Sequence, residues 1–114
     1  MRKCDSVTLF CPEDKKGTSY TWRRYILHGV SLMLAEDTDG ADAVMYVFDR
    51  DVTVLCGGAV SRMPHIHTGC AVYAGCAEGA EEVVSSLPEG RAMRVRGVKR
   101  YSAGRLGYLK VTLG

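Results

Sequence analysis

The last quarter of the chain, "AMRVRGVKRYSAGRLGYLKVTLG" at 92 to 114, constrains the fold more than any other segment. Met93 and Val95 alternate with Arg94 and Arg96, and Leu109, Val111 and Leu113 alternate with Tyr108, Lys110 and Thr112. A period of two sends successive side chains to opposite faces of a strand, so each run is an amphipathic strand. The intervening "SAGRLG" is Gly-rich, as tight or bulged turns require. The segment is therefore a hairpin with one dry and one basic face.

Shorter signals upstream agree with a β protein. "SVTLF" is a β-branched and aromatic run that enters the turn-forming "CPEDKKGTS". "YTWRRYILHGVSLML" fits a helical stripe and an alternating pattern about equally, but its aromatic content and Gly29 favour a long or bent strand, with the glycine marking a bulge. After the polar turn "EDTDGAD", "AVMYVF" is apolar on both faces, as a central strand covered on each side would be. "VTVLC" is a second short strand, followed by a Gly-rich loop that Pro64 helps to end, and "CAVYAGC" is another short apolar segment with Gly75 inside it. "AEGAEEVVSSLPEG" predicts about two helical turns over 80–87. The expected architecture is mainly β, a single domain over 1–114 built as a small β-barrel or strongly curved antiparallel sheet with at most one short helix.

Composition excludes several classes. Apolar residues make up 46% and charged residues 25% of the 114, the proportions of an ordinary globular domain. No apolar run approaches the ~18 to 20 residues of a membrane span, and "MRKCDSVTLFC" lacks a signal-peptide core, so no export or membrane insertion is expected. Cys4, Cys11, Cys56, Cys70 and Cys76 are odd in number, which argues for reduced thiols in a cytoplasmic setting over a disulfide framework. The formal charge of +2 conceals an asymmetry. Residues 36–51, including Glu36, Asp37, Asp39 and Asp42, hold six acids and only Arg50, whereas residues 91–110 hold seven Lys or Arg and no acid.

Three constellations could carry chemistry. "MPHIHTGCAVYAGC" at 63–76 gathers His65, His67, Cys70 and Cys76, residue types that zinc accepts. In an extended chain, however, Cys70 and Cys76 stand roughly 20 Å apart and cannot share an ion. Packing thiols beside a surface loop are the preferred reading, with no metal and no cofactor expected. No G-x-S-x-G, G-x-x-x-x-G-K-[ST], H-E-x-x-H or G-x-G-x-x-G signature is present, and His28 within an apolar strand reads as a satisfied structural histidine, so no enzymatic activity is expected. The basic hairpin face, Arg94, Arg96, Arg100 and Lys110 with Arg105 near the turn, suits phosphates or an acidic protein surface. The acidic stretch at 36–51 would complement it between copies of the chain in a ring.

The succession "VTLF", "TWRRYILHGVS", "ADAVMYVF", "TGCAVYAG" and "YLKVTLG" resembles small minor capsid or head–tail connector proteins, of the head-closure or stopper kind, from tailed phages and prophages. Such chains often begin V-T-[IL]-[FY], continue with an Arg- or Lys-bearing strand ending [IV]-x-G-V and an A-D-x-[AV]-x-[IV]-[YF] strand, and then carry P-G-D-x-[IV]-[VY]-x-G. The similarity spans nearly the whole chain. Thr68-Gly69-Cys70 stands where the family has P-G-D, without its Asp, and residues 52–67 depart from the pattern. The resemblance implies a non-enzymatic barrel that forms a ring at the portal vertex. Its implied partners are copies of itself, a portal or adaptor protein, tail components and packaged DNA, met in the bacterial cytoplasm during assembly and then in the virion. Arg94, Arg96 and Arg100 would meet phosphates without base preference, while His65 and His67 would touch a neighbouring subunit. The competing expectations are a small nucleic-acid-binding barrel that stacks bases on Tyr101 or Tyr108, and a metal- or redox-dependent protein built on 63–76.

Overall fold

The β-branched and aromatic runs form strands. The computed structural model describes residues 5–13, 21–34, 43–75, 82–85, 87, 92–103 and 106–114. Among these lie β1 (Asp5–Pro12), β2 (Trp22–Leu34), β3 (Ala43–Phe48), β4 (Thr53–Cys56), β5 (Ala59–Val60), β6 (Ala71–Ala74), β7 (Val83–Val84), β8 (Ala92–Ala103) and β9 (Leu106–Leu113), with no helix. All pairings are antiparallel. Followed in order, β1 pairs with β6, β6 with β8, β8 with β9, β9 with β3, β3 with β2, and β2 again with β1. The curved sheet thus closes on itself as a barrel-like circuit, which removes the sticky edges that an open sheet of these strands would present.

Closure depends on β2, the longest strand. Along one edge it pairs with β1 from Trp22↔Pro12 to Val30↔Asp5. Its other edge is shared in succession by β7 at Trp22–Arg23, β4 at Ile26–His28 and β3 at Ser31–Leu34. The change of neighbours occurs at Gly29, where the β1 register jumps from Ser6↔His28 to Asp5↔Val30 and φ is 80°. This is the bulge that a glycine inside a strand signals, and it bends β2 from one wall of the barrel to the next.

Two residues past Val30↔Asp5, the first described pair of β1, the Leu32 N–H donates to Asp5 Oδ2 at 3.0 Å. Asp5→Ala is expected to lower stability by about 1–2 kcal/mol, the cost of stranding a partly buried donor. Asp5→Asn, which keeps an acceptor oxygen, is expected to recover most of it in urea unfolding. Equal losses for the two variants would show that the bond contributes nothing.

The interior follows the alternation. Val7 and Leu9 of β1, Leu27 and Val30 of β2, Ala43, Met45 and Val47 of β3, Val72 of β6, Val95 of β8, and Val111 and Leu113 of β9 form one buried cluster. Cross-strand partners share a face, so Val7↔Leu27, Leu9↔Val72 and Met45↔Val111 lock these side chains into the same interior. β3 is the central strand its composition implied, paired on both edges and buried at every position except Tyr46. Segment 61–70 forms no strand, yet Ile66 and Cys70 join the core from it.

Two local expectations are corrected. Residues 80–87 do not supply a helix where they are described: Val83–Val84 pair with Trp22–Arg23, and the Arg24 amide donates to the Glu82 carbonyl at 2.7 Å. The adjacent β-branched valines are poor helix formers, and an available strand edge decides a segment this short. The Gly-rich loop after β4 is a tight hairpin, with Gly57 and Gly58 at φ 60° and 81° joining Cys56 to Ala59. Two consecutive positive φ values match the twist of the flanking strands.

Candidate functional site

The basic hairpin exists, but its cations are distributed differently from simple alternation. Between Val95↔Leu113 and Gly97↔Thr112 the register shifts by one residue, leaving Arg96 in a bulge. The bulge reverses the phase of every later side chain on β8. Before it, Arg94 shares a face with Ala71 of β6, and its guanidinium carbon lies 5.3 Å from the Trp22 ring centroid. After it, Lys99 stands opposite Lys110, whereas Arg100 stands opposite Leu109 on the other face. The structure therefore brings Lys110 together with Lys99 and separates both from Arg100.

Arg100 is engaged by an acid. Its Nη1 donates to Asp49 Oδ1 at 3.2 Å, its Nη2 to Asp49 Oδ2, and the carboxylate shifts the guanidinium further toward its protonated form. Both side chains are about half exposed, so the pair adds little stability. Its effect is to place a neutralised contact where a free cation was expected. Arg105, Glu36, Asp37, Asp39 and Asp42 lie outside the described residues, and with them most of the anticipated acidic complement. Among the described residues of that stretch, Asp49 is the acid that meets Arg100 of the hairpin.

Around Lys99 and Lys110 the outer face is aromatic. Tyr101 and Tyr108 are cross-strand partners stacked at 4.9 Å with planes 13° apart, and Phe48 lies 5.3 Å and Tyr46 6.2 Å from Tyr108. Lys99 Nζ sits 5.4 Å from the Tyr101 centroid, within cation–π range. Lys99, Tyr46 and Phe48 carry no local sequence motif that marks them for this surface. Their signal is the β3–β9–β8 register, which sets Tyr46 opposite Lys110 and Phe48 opposite Tyr108.

His65 and His67 fall in segment 61–70. His67-Thr68-Gly69-Cys70 is a turn closed by the Cys70 N–H donating to the His67 carbonyl at 2.9 Å, and the Gly69 N–H donates to His67 Nδ1 at 3.0 Å. The His65 and His67 rings stack at 5.5 Å, His65 exposed and His67 half-buried. His28, with Nδ1 2.7 Å from Ser6 Oγ, is satisfied within the sheet.

Cys70 is a packing thiol, as its apolar surroundings in sequence implied, buried within the core cluster. Cys70 meets Cys11, with the sulfurs 3.6 Å apart, and Cys76 lies outside the described residues. The β1–β6 register explains the contact, since Phe10↔Ala71 is the last pair and one further step sets Cys11 opposite Cys70. Contact between the two thiols lowers the pKa of Cys70, and the same contact, with burial, raises that of Cys11. Among the described residues no three His, Cys, Asp or Glu side chains converge as a metal site, and no helix is long and apolar enough to cross a membrane.

No family model, curated protein or solved structure matches the chain.

Proposed function

We propose that this chain is a structural, non-enzymatic subunit of a tailed-phage or prophage particle, a minor capsid or head–tail connector protein that forms a ring at the portal vertex. The observation that carries this reading joins the sequence resemblance to the topology. The five quoted segments fall on β1, β2, β3, β6 and β9, and with β8 those are the strands of the closed circuit. The resemblance thus concerns the barrel itself and not its appendages. Two further features support it. The β8–β9 hairpin runs past the last β3 pair, Phe48↔Tyr108, to an exposed Leu106, which suits an arm laid on a neighbouring copy. The outward Lys99 and Lys110 suit contact with DNA phosphates of any sequence. The test is co-purification with portal and adaptor proteins, together with particles assembled without this chain. Ring formation on the portal and failure to join tails are expected; no co-assembly, or normal tail joining in its absence, overturns the reading.

A second reading, a nucleic-acid-binding barrel, is favoured by the Tyr101–Tyr108 stack beside Lys99 and Lys110. Against it, Tyr101 already has a ring and an ammonium group as neighbours, so a base would have to displace Lys99 to stack there. If it holds, the double reversal K99E/K110E weakens binding of a single-stranded oligonucleotide at least about tenfold at low salt. Wild-type protein with no salt-sensitive affinity excludes it.

A further inference from the structure

The Cys11–Cys70 contact joins residues 59 positions apart in sequence, at the seam where β1 meets the segment that carries His65 and His67. The backbone permits a covalent link there. Cys70 sends its N–H to the His67 carbonyl and receives the Val95 N–H on its own carbonyl, at 2.9 and 3.0 Å, so neither group bonds toward β1. A position of this kind in an antiparallel pair brings opposing side chains closest and sets Cα atoms within the span a disulfide needs. Cys11 is half-buried and Cys70 fully buried, so the seam is reached from the Cys11 side.

We propose that Cys11 and Cys70 form a redox modification site, closing to an intramolecular disulfide when the protein meets hydrogen peroxide. The thiolate of the pair attacks the peroxide O–O bond, becoming a sulfenic acid and releasing hydroxide. The second thiol attacks that sulfur, forms the S–S bond and expels the sulfenic oxygen as water. Overall, two thiols and one peroxide give one disulfide and two waters: the sulfurs lose two electrons and the peroxide gains them. Once one proton has left, the other is shared across the 3.6 Å contact, so the accessible Cys11 sulfur attacks as the thiolate and Cys70, already in contact, closes the disulfide before further oxidation. The bond ties segment 61–70 to the end of β1 and fixes the stacked histidines relative to the barrel.

The experiment treats the reduced full-length protein with a small excess of hydrogen peroxide, then measures free thiols, intact mass and crosslinked peptides. The expected result is a thiol titre falling from five to three, a monomer lighter by two hydrogen atoms, a mapped Cys11–Cys70 bond and full reversal by dithiothreitol. Because Cys4 and Cys76 flank the pair in sequence, the bond is also assigned in C4S/C56S/C76S, which retains only Cys11 and Cys70 and should lose both thiols. Either C11S or C70S should abolish the monomeric disulfide. A bond to Cys4, Cys56 or Cys76, an intermolecular dimer, a stable sulfinic acid, or an unchanged titre overturns the proposal. Should the triple variant fail to fold, the fragment spectrum of wild-type crosslinked peptides decides alone.

Discussion

Leu27→Ala is expected to lower the unfolding free energy by about 3 kcal/mol and the midpoint of thermal unfolding by roughly 10–20 °C. Leu27 is fully buried and faces two neighbours through the sheet, Val7 on β1 and Val54 on β4. Truncation therefore removes contacts in two directions. The strands around it are held in a closed circuit, so they cannot close over the vacated volume as readily as a free helix could, and a cavity adds its own cost. Met33→Ala provides the comparison: on the same strand but 48% exposed, it is expected to change stability by no more than about 0.5 kcal/mol. The pair is measured by urea and thermal unfolding of both variants, and similar losses at the two positions would contradict the closed interior.

The second large effect is at the bend in β2. Gly29 adopts φ 80°, where a β-branched side chain clashes with its own backbone, so Gly29→Val is expected to cost about 2 kcal/mol or more. Relief by straightening β2 would break its transfer from β1 to β3 and open the circuit. Gly97 is the control, since it lies beside the other bulge without a positive φ and a Cβ there would meet nothing within 4 Å. Gly97→Ala is expected to be neutral or to stabilise by up to about 1 kcal/mol, through the unfolded chain's lost freedom. Circular dichroism melts of the two variants check this, and a Gly29→Val protein as stable as wild type would show that the bend does not need a left-handed residue.

These two glycines also mark what the sequence can and cannot disclose. A glycine within an apolar alternating run announces a bulge, and Gly29 was legible because a long strand that must bend needs one residue free to take a positive φ. At Arg96 the extra residue is an arginine in an arginine-rich run, and nothing local distinguishes it from its neighbours. One inserted position reverses the phase, which is why Arg100 leaves the face of Lys110 and Lys99 joins it. The hairpin itself and the central strand 43–48 were legible because their patterns are long and locally complete. Val83–Val84 were not, because a segment so short takes its conformation from the edge it finds. The Cys11–Cys70 contact is the extreme case: "CPED" and "TGCAVY" carry no shared pattern, and only the β1–β6 register sets the two thiols opposite one another.

That same register orders events in time. The β8–β9 hairpin pairs residues close in sequence and can form within itself, but β1 is sealed only when residues 71–74 arrive beside residues 7–10. On the ribosome, β1 and β2 would emerge before β6, as a ribbon with one edge of β1 still open. Long-range strand pairing of this kind is slow, in the millisecond-to-second range for small β proteins. The interval before closure, and not the finished barrel, is where this chain is most exposed to pairing with the wrong partner.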